Sequence, residues 1–260
     1  MLMSRIARIL FLMGVLIVSG VLSCSNVAGG GKKLSEISLQ NGKKLVEAND
    51  SDLSKQEKQR IQQIAEKLAV RYVNNRNPDQ VKIPEEIISF FYNGLIHLKK
   101  STIPEAKKVT DEYVLIAKTP ANPREVLLWA DKSASWLDAW RNGETKTGVS
   151  EIDQLIEEFG LTLSEYREFT TTSPGAFASM EADHAINVYA VGDAFMSLEE
   201  IKKAGPDGLL TGGRDVKAKI KDNYLVLDIT VGSGDCPAGC INKINQKFRI
   251  FSDGQVELVD

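Results

Sequence analysis

The chain has 260 residues, of which 43% are hydrophobic and 26% are charged, and its formal net charge at pH 7 is −3. These ordinary fractions allow one large hydrophobic core or two small ones. A mildly acidic chain is a poor ligand for phosphate backbones, which excludes nucleic acid as an expected partner.

The first 23 residues have the order of a secretory signal peptide. Arg5 and Arg8 precede an uncharged apolar run over residues 9–22, and Ser23 and Cys24 follow it. The run is shorter than the ~20 residues that span a bilayer as a helix. We therefore expect cleavage before Cys24, with an uncleaved membrane helix as the alternative. Cleavage changes the formal net charge from −3 to −5, because the removed segment has no acidic residue.

Cys24 is the predicted lipid attachment site. The residues Val21-Leu22-Ser23-Cys24 resemble the lipobox of bacterial lipoproteins, although Leu22 is bulkier than the residue usual there. Acylation of Cys24, for example with palmitate, would supply the two or more chains that stable membrane anchoring requires. We therefore expect a protein of the bacterial cell envelope that is tethered to a membrane by lipid alone.

Three parts of the chain are predicted. Residues 1–23 form the signal peptide, and residues 24–53 form a lipid-anchored flexible tether that begins with a glycine-rich stretch. Residues 54–260 form a globular domain, with a possible sub-boundary near residue 165.

Two amphipathic helices are predicted at the start of the domain. Ser54 and Glu57 have the spacing of a capping box, and apolar residues then recur at helical spacing. This stripe consists of Ile61, Ile64, Ala65, Leu68 and Tyr72. We expect the first helix to end between residues 74 and 78, and the second to run from Pro84 to Leu98.

The middle of the chain predicts one strand and two short helices. Residues 126–130 form an apolar run that is typical of a buried strand. A compact helix then carries Trp136 and Trp140. Another helix follows over residues 150–159, with Asp153 in a position to bond back to the cap.

The rest of the chain predicts mostly strands. Residues 167–181 favour one or two strands, residues 186–198 a helix, and residues 224–231 an alternating strand. Residues 247–258 predict a hairpin that turns at Asp253-Gly254. The sequence therefore predicts an α+β fold, in which a helical N-terminal half packs on a mostly antiparallel sheet from the C-terminal half and the chain ends in a β-hairpin.

The sequence shows no catalytic or metal-binding motif. Glu181, Asp183 and His184 could supply two metal ligands, but a site usually needs three or four, so a solvated turn is the favoured interpretation. We interpret His97, within a predicted helix, as structural. No G-x-S-x-G elbow is present, although thirty-five acidic residues leave open a carboxylate pair assembled in the fold. We therefore predict no catalytic residue, metal or cofactor.

Cys236 and Cys240 are the cysteines that remain after lipidation of Cys24. Both would face an oxidising compartment, where a disulfide bond is the expected state. Their spacing is one residue too long for a C-x-x-C redox motif and lacks the following His of a haem attachment site. We therefore predict a small disulfide loop.

Trp136 and Trp140 lie four residues apart and so share one face of their helix. Such a pair can form an aromatic platform for a sugar or a peptide, but large aromatic side chains more often anchor a core. Arg141 follows at the helix end, where the backbone dipole favours a cation. These three residues are candidate binding residues, with a role in the core as the favoured alternative for the tryptophans.

Two blocks of the sequence stand out together. They are Trp136-x-x-x-Trp140-Arg141-Asn142-Gly143 with Thr147-Gly148 and Asp153, and Gly234-Asp235-Cys236-Pro237-x-Gly239-Cys240-Ile241. The blocks resemble an uncharacterised group of secreted proteins and lipoproteins found mainly in Bacteroidota, and the resemblance covers about residues 55–260. Gln246 departs from it, because members commonly have Trp there. The resemblance implies no activity, but it draws attention to Asp235 as a further candidate binding residue.

The resemblance also bears on localisation. Surface lipoproteins of that phylum usually carry an acidic stretch soon after the lipid cysteine, whereas this chain has Gly-Gly-Gly-Lys-Lys. The resemblance therefore implies an anchor in the outer membrane that faces the periplasm.

Two functional hypotheses follow from these observations. The leading one is a non-enzymatic envelope lipoprotein that binds an unknown protein or another envelope component. The alternative is a secreted hydrolase whose carboxylates meet only in the fold. An apolar or carboxylate-lined cleft of about 300 Å³ or larger would favour the hydrolase, and a flat, exposed aromatic patch would favour binding.

Overall fold

Six α-helices and eight strands are formed by the part of the chain that the computed structural model describes, which is residues 39, 44–170, 175–208, 213–221, 223–233 and 241–259. The helices are α1 (Lys55–Asn74), α2 (Glu85–Lys100), α3 (Pro104–Lys107), α4 (Asp138–Arg141), α5 (Ser150–Glu158) and α6 (Val188–Met196). The strands are β1 (Glu125–Asp131), β2 (Leu161–Glu168), β3 (Gly175–Ala182), β4 (Ile201–Gly205), β5 (Asp215–Ile220), β6 (Tyr224–Ser233), β7 (Asn242–Phe251) and β8 (Val256–Val259). A π-helical turn, Lys108–Glu112, continues α3, and a 3-10 turn, Ser135–Leu137, precedes α4.

The strands form two antiparallel sheets of four strands each. The first sheet has the order β2-β3-β1-β4, and the second has the order β5-β6-β7-β8. The predicted α+β class is therefore confirmed, as is the C-terminal hairpin, in which β7 pairs with β8. The prediction was a single sheet, whereas the structure has two. Strand β1, which lies in the N-terminal half of the chain, pairs with β3 and β4 in the first sheet.

Helix α1 begins at the predicted capping box. The Ser54 Oγ accepts a hydrogen bond from the Glu57 backbone N–H (3.2 Å), and Glu57 Oε2 accepts one from the Ser54 N–H (3.1 Å). Its predicted apolar stripe faces the core and packs against α2. Helix α2 starts one residue later than expected, because Pro84 has extended backbone dihedrals and occupies the N-cap position.

Residues 44–53 differ from the predicted tether, because they pack on the domain. Leu45 is 8% exposed, and the Val46 backbone N–H donates to the Ser252 carbonyl oxygen (2.8 Å). The Val46 carbonyl oxygen lies 2.9 Å from His97 Nε2. The Ala48 N–H donates to Asn93 Oδ1 (3.0 Å). The end predicted for the flexible segment, residue 53, is therefore too late along the chain.

Two strands of the described chain were not predicted. β4 and β5 are edge strands, and each carries exposed lysines. These lysines leave too few apolar residues in each short segment to give a clear strand pattern in the sequence. β2 also starts before the predicted strand region, and it runs through residue 165. A domain boundary near residue 165 would therefore cut a strand, and the described residues instead belong to one compact unit.

Helix α6 packs directly on the first sheet at a pair of glycines. A Cβ atom placed on Gly192 would lie 2.8 Å from the Gly205 Cα, at the end of β4. That distance is below any ordinary van der Waals contact, so only glycine at position 192 allows the helix to approach the strand this closely.

Candidate functional site

Trp136 and Trp140 pack against each other near the edge of the first sheet. Their ring centroids are 5.0 Å apart with an interplanar angle of 87°, an edge-to-face arrangement. Trp140 is 2% exposed, and its Nε1 donates to the Thr145 carbonyl oxygen (3.1 Å). Trp136 is half-buried. The structure thus places Trp140 in the core, and a flat platform that uses both ring faces is not formed.

The Arg141 guanidinium donates three hydrogen bonds to other residues of the domain. Its Nε donates to Glu168 Oε1 (2.6 Å), its Nη1 to Asp138 Oδ1 (2.5 Å), and its Nη2 to the Lys132 carbonyl oxygen (2.7 Å). The Tyr166 hydroxyl also donates to Glu168 Oε1 (2.6 Å). We call Trp136, Trp140, Arg141, Tyr166 and Glu168 the tryptophan cluster.

The charges of the tryptophan cluster stabilise one another. Hydrogen bonds from Tyr166 and then Arg141 lower the pKa of the Glu168 carboxyl. Burial, followed by the bond to Glu168, raises the pKa of Tyr166 to about 12. The polar groups of this cluster are therefore engaged within the domain, which favours a structural role.

Four residues named from the sequence lie outside the described part of the chain. They are Cys24, Asp235, Cys236 and Cys240. Lipidation of the first, the disulfide bond between the last two, and a binding role for Asp235 stay predictions.

Asp183 and His184 form an exposed pair of their own. The His184 Nδ1 contacts Asp183 Oδ1, and this contact lowers the pKa of the Asp183 carboxyl. Within the described residues, no three His, Cys, Asp or Glu side chains converge in a way that could hold a metal ion. None of the helices in those residues has the length and apolar character needed to cross a bilayer.

A cleft with a volume of about 800 Å³ lies beside the N-terminal half of α1. We call it the polar cleft. Its walls carry amide, ammonium, guanidinium, phenol and carboxylate groups from Lys58, Gln59, Gln62, Gln63, Glu66, Lys67, Tyr92, Asn122, Arg124 and Glu181.

The central charges of the polar cleft are paired. Glu66 is 3% exposed, and its two carboxylate oxygens accept from Arg124 Nη2 (2.6 Å) and Nε (3.3 Å). Arg124 Nη1 donates to the Asp183 carbonyl oxygen (2.8 Å), and the bond to Glu66 raises the pKa of the guanidinium. Both oxygens of this carboxylate are therefore already bonded within the domain. The arrangement thus favours a structural ion pair over acid–base catalysis.

Lys67 also lines the polar cleft, but its charge is not paired with a described residue. It is half-buried and has no hydrogen-bond acceptor among the described residues. Burial, and then the neighbouring Arg71 cation, lower the pKa of its ammonium group.

A second cleft, of about 560 Å³, lies between the C-terminal half of α1, residues 118–119 and β5. We call it the basic cleft, because six basic side chains and one carboxylate are found on its walls. These charged residues are Arg71, Arg76, Lys118, Lys217, Lys219, Lys221 and Asp215.

Arg71 and Asp215 neutralise each other. Arg71 Nη2 donates to Asp215 Oδ1 (2.9 Å), Nη1 donates to the Val216 carbonyl oxygen (2.8 Å), and Nε donates to the Thr119 carbonyl oxygen. The Lys118 backbone N–H also donates to Asp215 Oδ1 (2.9 Å). The carboxylate in the basic cleft is therefore used to join α1 to β5.

The other five cations of the basic cleft have no ion pair with any described residue. Arg76 is exposed, and its guanidinium carbon lies 3.8 Å from the centroid of the Tyr72 ring. Lys118, Lys217, Lys219 and Lys221 are exposed at the cleft wall. Sequence reasoning missed this site, although the alternating lysines of residues 217–221 were a visible signal. Such a set of unpaired like charges attracts an anion.

No protein-family model, curated protein or solved structure matches this chain.

Proposed function

We propose that this protein is a lipid-anchored lipoprotein of a bacterial cell envelope, and that its α+β domain is a non-enzymatic module that binds an acidic partner in the basic cleft. The observation that supports the proposal is the set of five cations on the wall of that cleft that form no ion pair with a described residue. The chain as a whole is acidic, so this concentration of positive charge is local.

The charges of the two clefts favour binding over hydrolysis. In the polar cleft, Glu66 is held in a bidentate pair by Arg124. Hydrolysis by a carboxylate pair requires both carboxyl groups to contact the substrate. Both oxygens of Glu66 instead accept hydrogen bonds from Arg124, and the side chain is only 3% exposed.

Lipid attachment is tested by metabolic labelling with a fatty-acid analogue. We expect the wild-type chain to be labelled and Cys24→Ala to remain unlabelled. Equal labelling of the two forms would reject the anchor at this residue, independently of what the domain binds.

Acidic-partner binding is tested with poly-L-glutamate, using fluorescence anisotropy at low salt. We expect the wild-type protein to bind this polymer, and the affinity to fall as salt increases, because exposed charges are screened. Lys217→Glu, Lys219→Glu and Lys221→Glu combined should weaken binding by about tenfold or more, since like charges then face the polymer.

The matched control changes the net charge by the same amount at another place. Lys55, Lys107 and Lys108 are exposed and do not line the basic cleft. Their combined substitution by Glu should leave the affinity within about twofold of wild type, which is less than 0.5 kcal/mol. Equal loss in both triple variants would show that the whole surface, and not the cleft, attracts the polymer.

A further inference from the structure

The outer edge of β5 borders the basic cleft, and its hydrogen-bond pattern shows which backbone groups face outward. The Lys221 N–H donates to the Tyr224 carbonyl oxygen (2.9 Å) at the turn between β5 and β6. In an antiparallel pair, alternate residues bond to the neighbouring strand. Lys217 and Lys219 therefore bond to β6, whereas the N–H and C=O groups of Ala218 point away from it.

Val216 is the first residue of β5 whose backbone groups point away from β6. It is also the only one of these residues whose backbone groups form hydrogen bonds with described residues. The Val216 N–H donates to the Ile116 carbonyl oxygen (2.9 Å), and its carbonyl accepts from Arg71 Nη1 (2.8 Å). Ala218 and Ile220 have no such partner in the described part of the chain, and both line the basic cleft. Two N–H and two C=O groups of this edge therefore have no partner among the residues that the structure describes.

The charges of the side chains beside this open edge determine which kind of strand can pair with it. Lys217 and Lys219 share one face of β5, and Lys221, the residue after the strand, continues their alternation; all three are exposed. A second copy of β5 added here would bring lysines next to lysines, which is how natural edge strands prevent self-pairing. An extended segment with acidic residues at alternate positions would bring carboxylates next to the same lysines.

We infer that an acidic peptide segment binds in the basic cleft by adding to β5 as a further strand of the second sheet. Its backbone bonds to Ala218 and Ile220, and its alternate acidic side chains pair with Lys217, Lys219 and Lys221. The inference rests on the proposed function, since it names the form in which the acidic partner is bound. It requires an alternation of acidic and small apolar residues, because the other face of β5 points into the core.

The test uses a fluorescein-labelled peptide of alternating glutamate and valine and the full-length protein. Ala218→Pro removes an outward N–H without removing a bond to β6, and proline is tolerated at such positions of an edge strand. We expect Ala218→Pro to weaken binding of the alternating peptide by about tenfold or more. Binding of poly-L-glutamate, which does not need the open edge, should change by less than about twofold.

Backbone-modified peptides test the inference on the unchanged protein. Two versions of the peptide are N-methylated, one at every valine and the other at every glutamate. Only one of these sets donates hydrogen bonds toward an adjacent strand, so one version should lose about tenfold in affinity and the other should bind nearly as well as the parent.

The outcomes separate the inference from the function on which it rests. If poly-L-glutamate fails to bind, the proposed function is wrong. If it binds but Ala218→Pro and both N-methylated peptides leave the alternating peptide unaffected, the cleft attracts acids without strand addition, and the inference is overturned. Tighter binding of a single-stranded oligonucleotide of equal charge would overturn the assignment to a peptide.

Discussion

The tryptophan cluster and the basic cleft use the same kinds of side chain in opposite ways. In the tryptophan cluster, Arg141 donates to two carboxylates and a carbonyl oxygen, and Trp140 donates to another carbonyl oxygen. In the basic cleft, five cations have no ion pair with a described residue. Groups that are satisfied within the chain stabilise the fold, and groups that are left unpaired on one wall are available to a ligand. The difference predicts that the first region controls stability and the second controls binding.

The largest effect is expected from Trp140→Ala. The side chain is 2% exposed, so its removal should lower the free energy of unfolding by about 3–5 kcal/mol, as large aromatic truncations in cores do. Urea denaturation measures this loss. Trp136→Ala, at the half-buried ring beside it, should cost less. A loss below about 1 kcal/mol for Trp140→Ala would place the ring outside the core.

The second largest effect on stability is expected from Arg71→Met, because Arg71 is the cation of the basic cleft that bonds to other parts of the fold. Arg71→Met leaves Asp215 without its cation, although the Lys118 N–H still donates to it, and leaves two carbonyl oxygens without the arginine donor. The arginine and aspartate side chains are 18% and 20% exposed. We expect a loss of about 2 kcal/mol in urea denaturation. Arg76→Met is the matched control, because Arg76 lies on the same wall of the cleft but is exposed. It should cost about 0.5 kcal/mol or less, and equal losses in both variants would contradict the distinction.

The third prediction concerns the response of the tryptophan cluster to acid. The pKa of Glu168 is lowered from 4.5 by its bonds to Tyr166 and Arg141. A lowered pKa stabilises the fold fully above the unfolded value of 4.5, and this contribution is lost as the pH falls through the folded-state pKa. Urea midpoints measured from pH 6 to pH 3 should therefore decline less steeply below about 4.5 in Glu168→Gln than in wild type. Parallel declines in the two proteins would show that Glu168 makes no such contribution.

The smallest effect is expected from Lys219→Ala. The side chain is exposed and makes no ion pair with a described residue, so the free energy of unfolding should stay within about 0.5 kcal/mol of wild type. The same variant should weaken the binding of poly-L-glutamate. A clear loss of stability without a change in binding would reverse the roles assigned to the two regions.

The parts of the fold that could be predicted are those with local signals. Helix α1 was predicted because the capping box of Ser54 and Glu57 and the apolar stripe are contained in one segment. The β7–β8 hairpin was predicted because Asp253-Gly254 supplies the turn, and Gly254 has a φ of +88°. Strand β5 was missed, because lysine alternates with valine, alanine and isoleucine over only a few residues and the strand lies at an edge.

The alternating lysines of residues 217–221 are a local signal of the basic cleft, but they do not show which other element forms its opposite wall. Arg71 bonds to Val216, a residue 145 positions away in the sequence, and this contact brings α1 beside β5. The tryptophans illustrate the opposite case, because the sequence identified Trp136 and Trp140 as a pair but did not decide between a platform and a core. That decision depends on contacts such as the bond from Trp140 to Thr145 and the approach of Tyr166.

The close contact between Gly192 and Gly205 determines the register of α6 on the first sheet. If the helix shifted by one residue, which is a screw motion of about 1.5 Å along its axis and about 100° around it, Val191 or Asp193 would take the place of Gly192. Neither side chain can fit there, because even a Cβ atom would lie 2.8 Å from the Gly205 Cα. The same contact prevents rotation of the helix about its axis, since rotation also turns a Cβ toward β4. A pair of residues without side chains therefore fixes both the axial position and the rotation of α6.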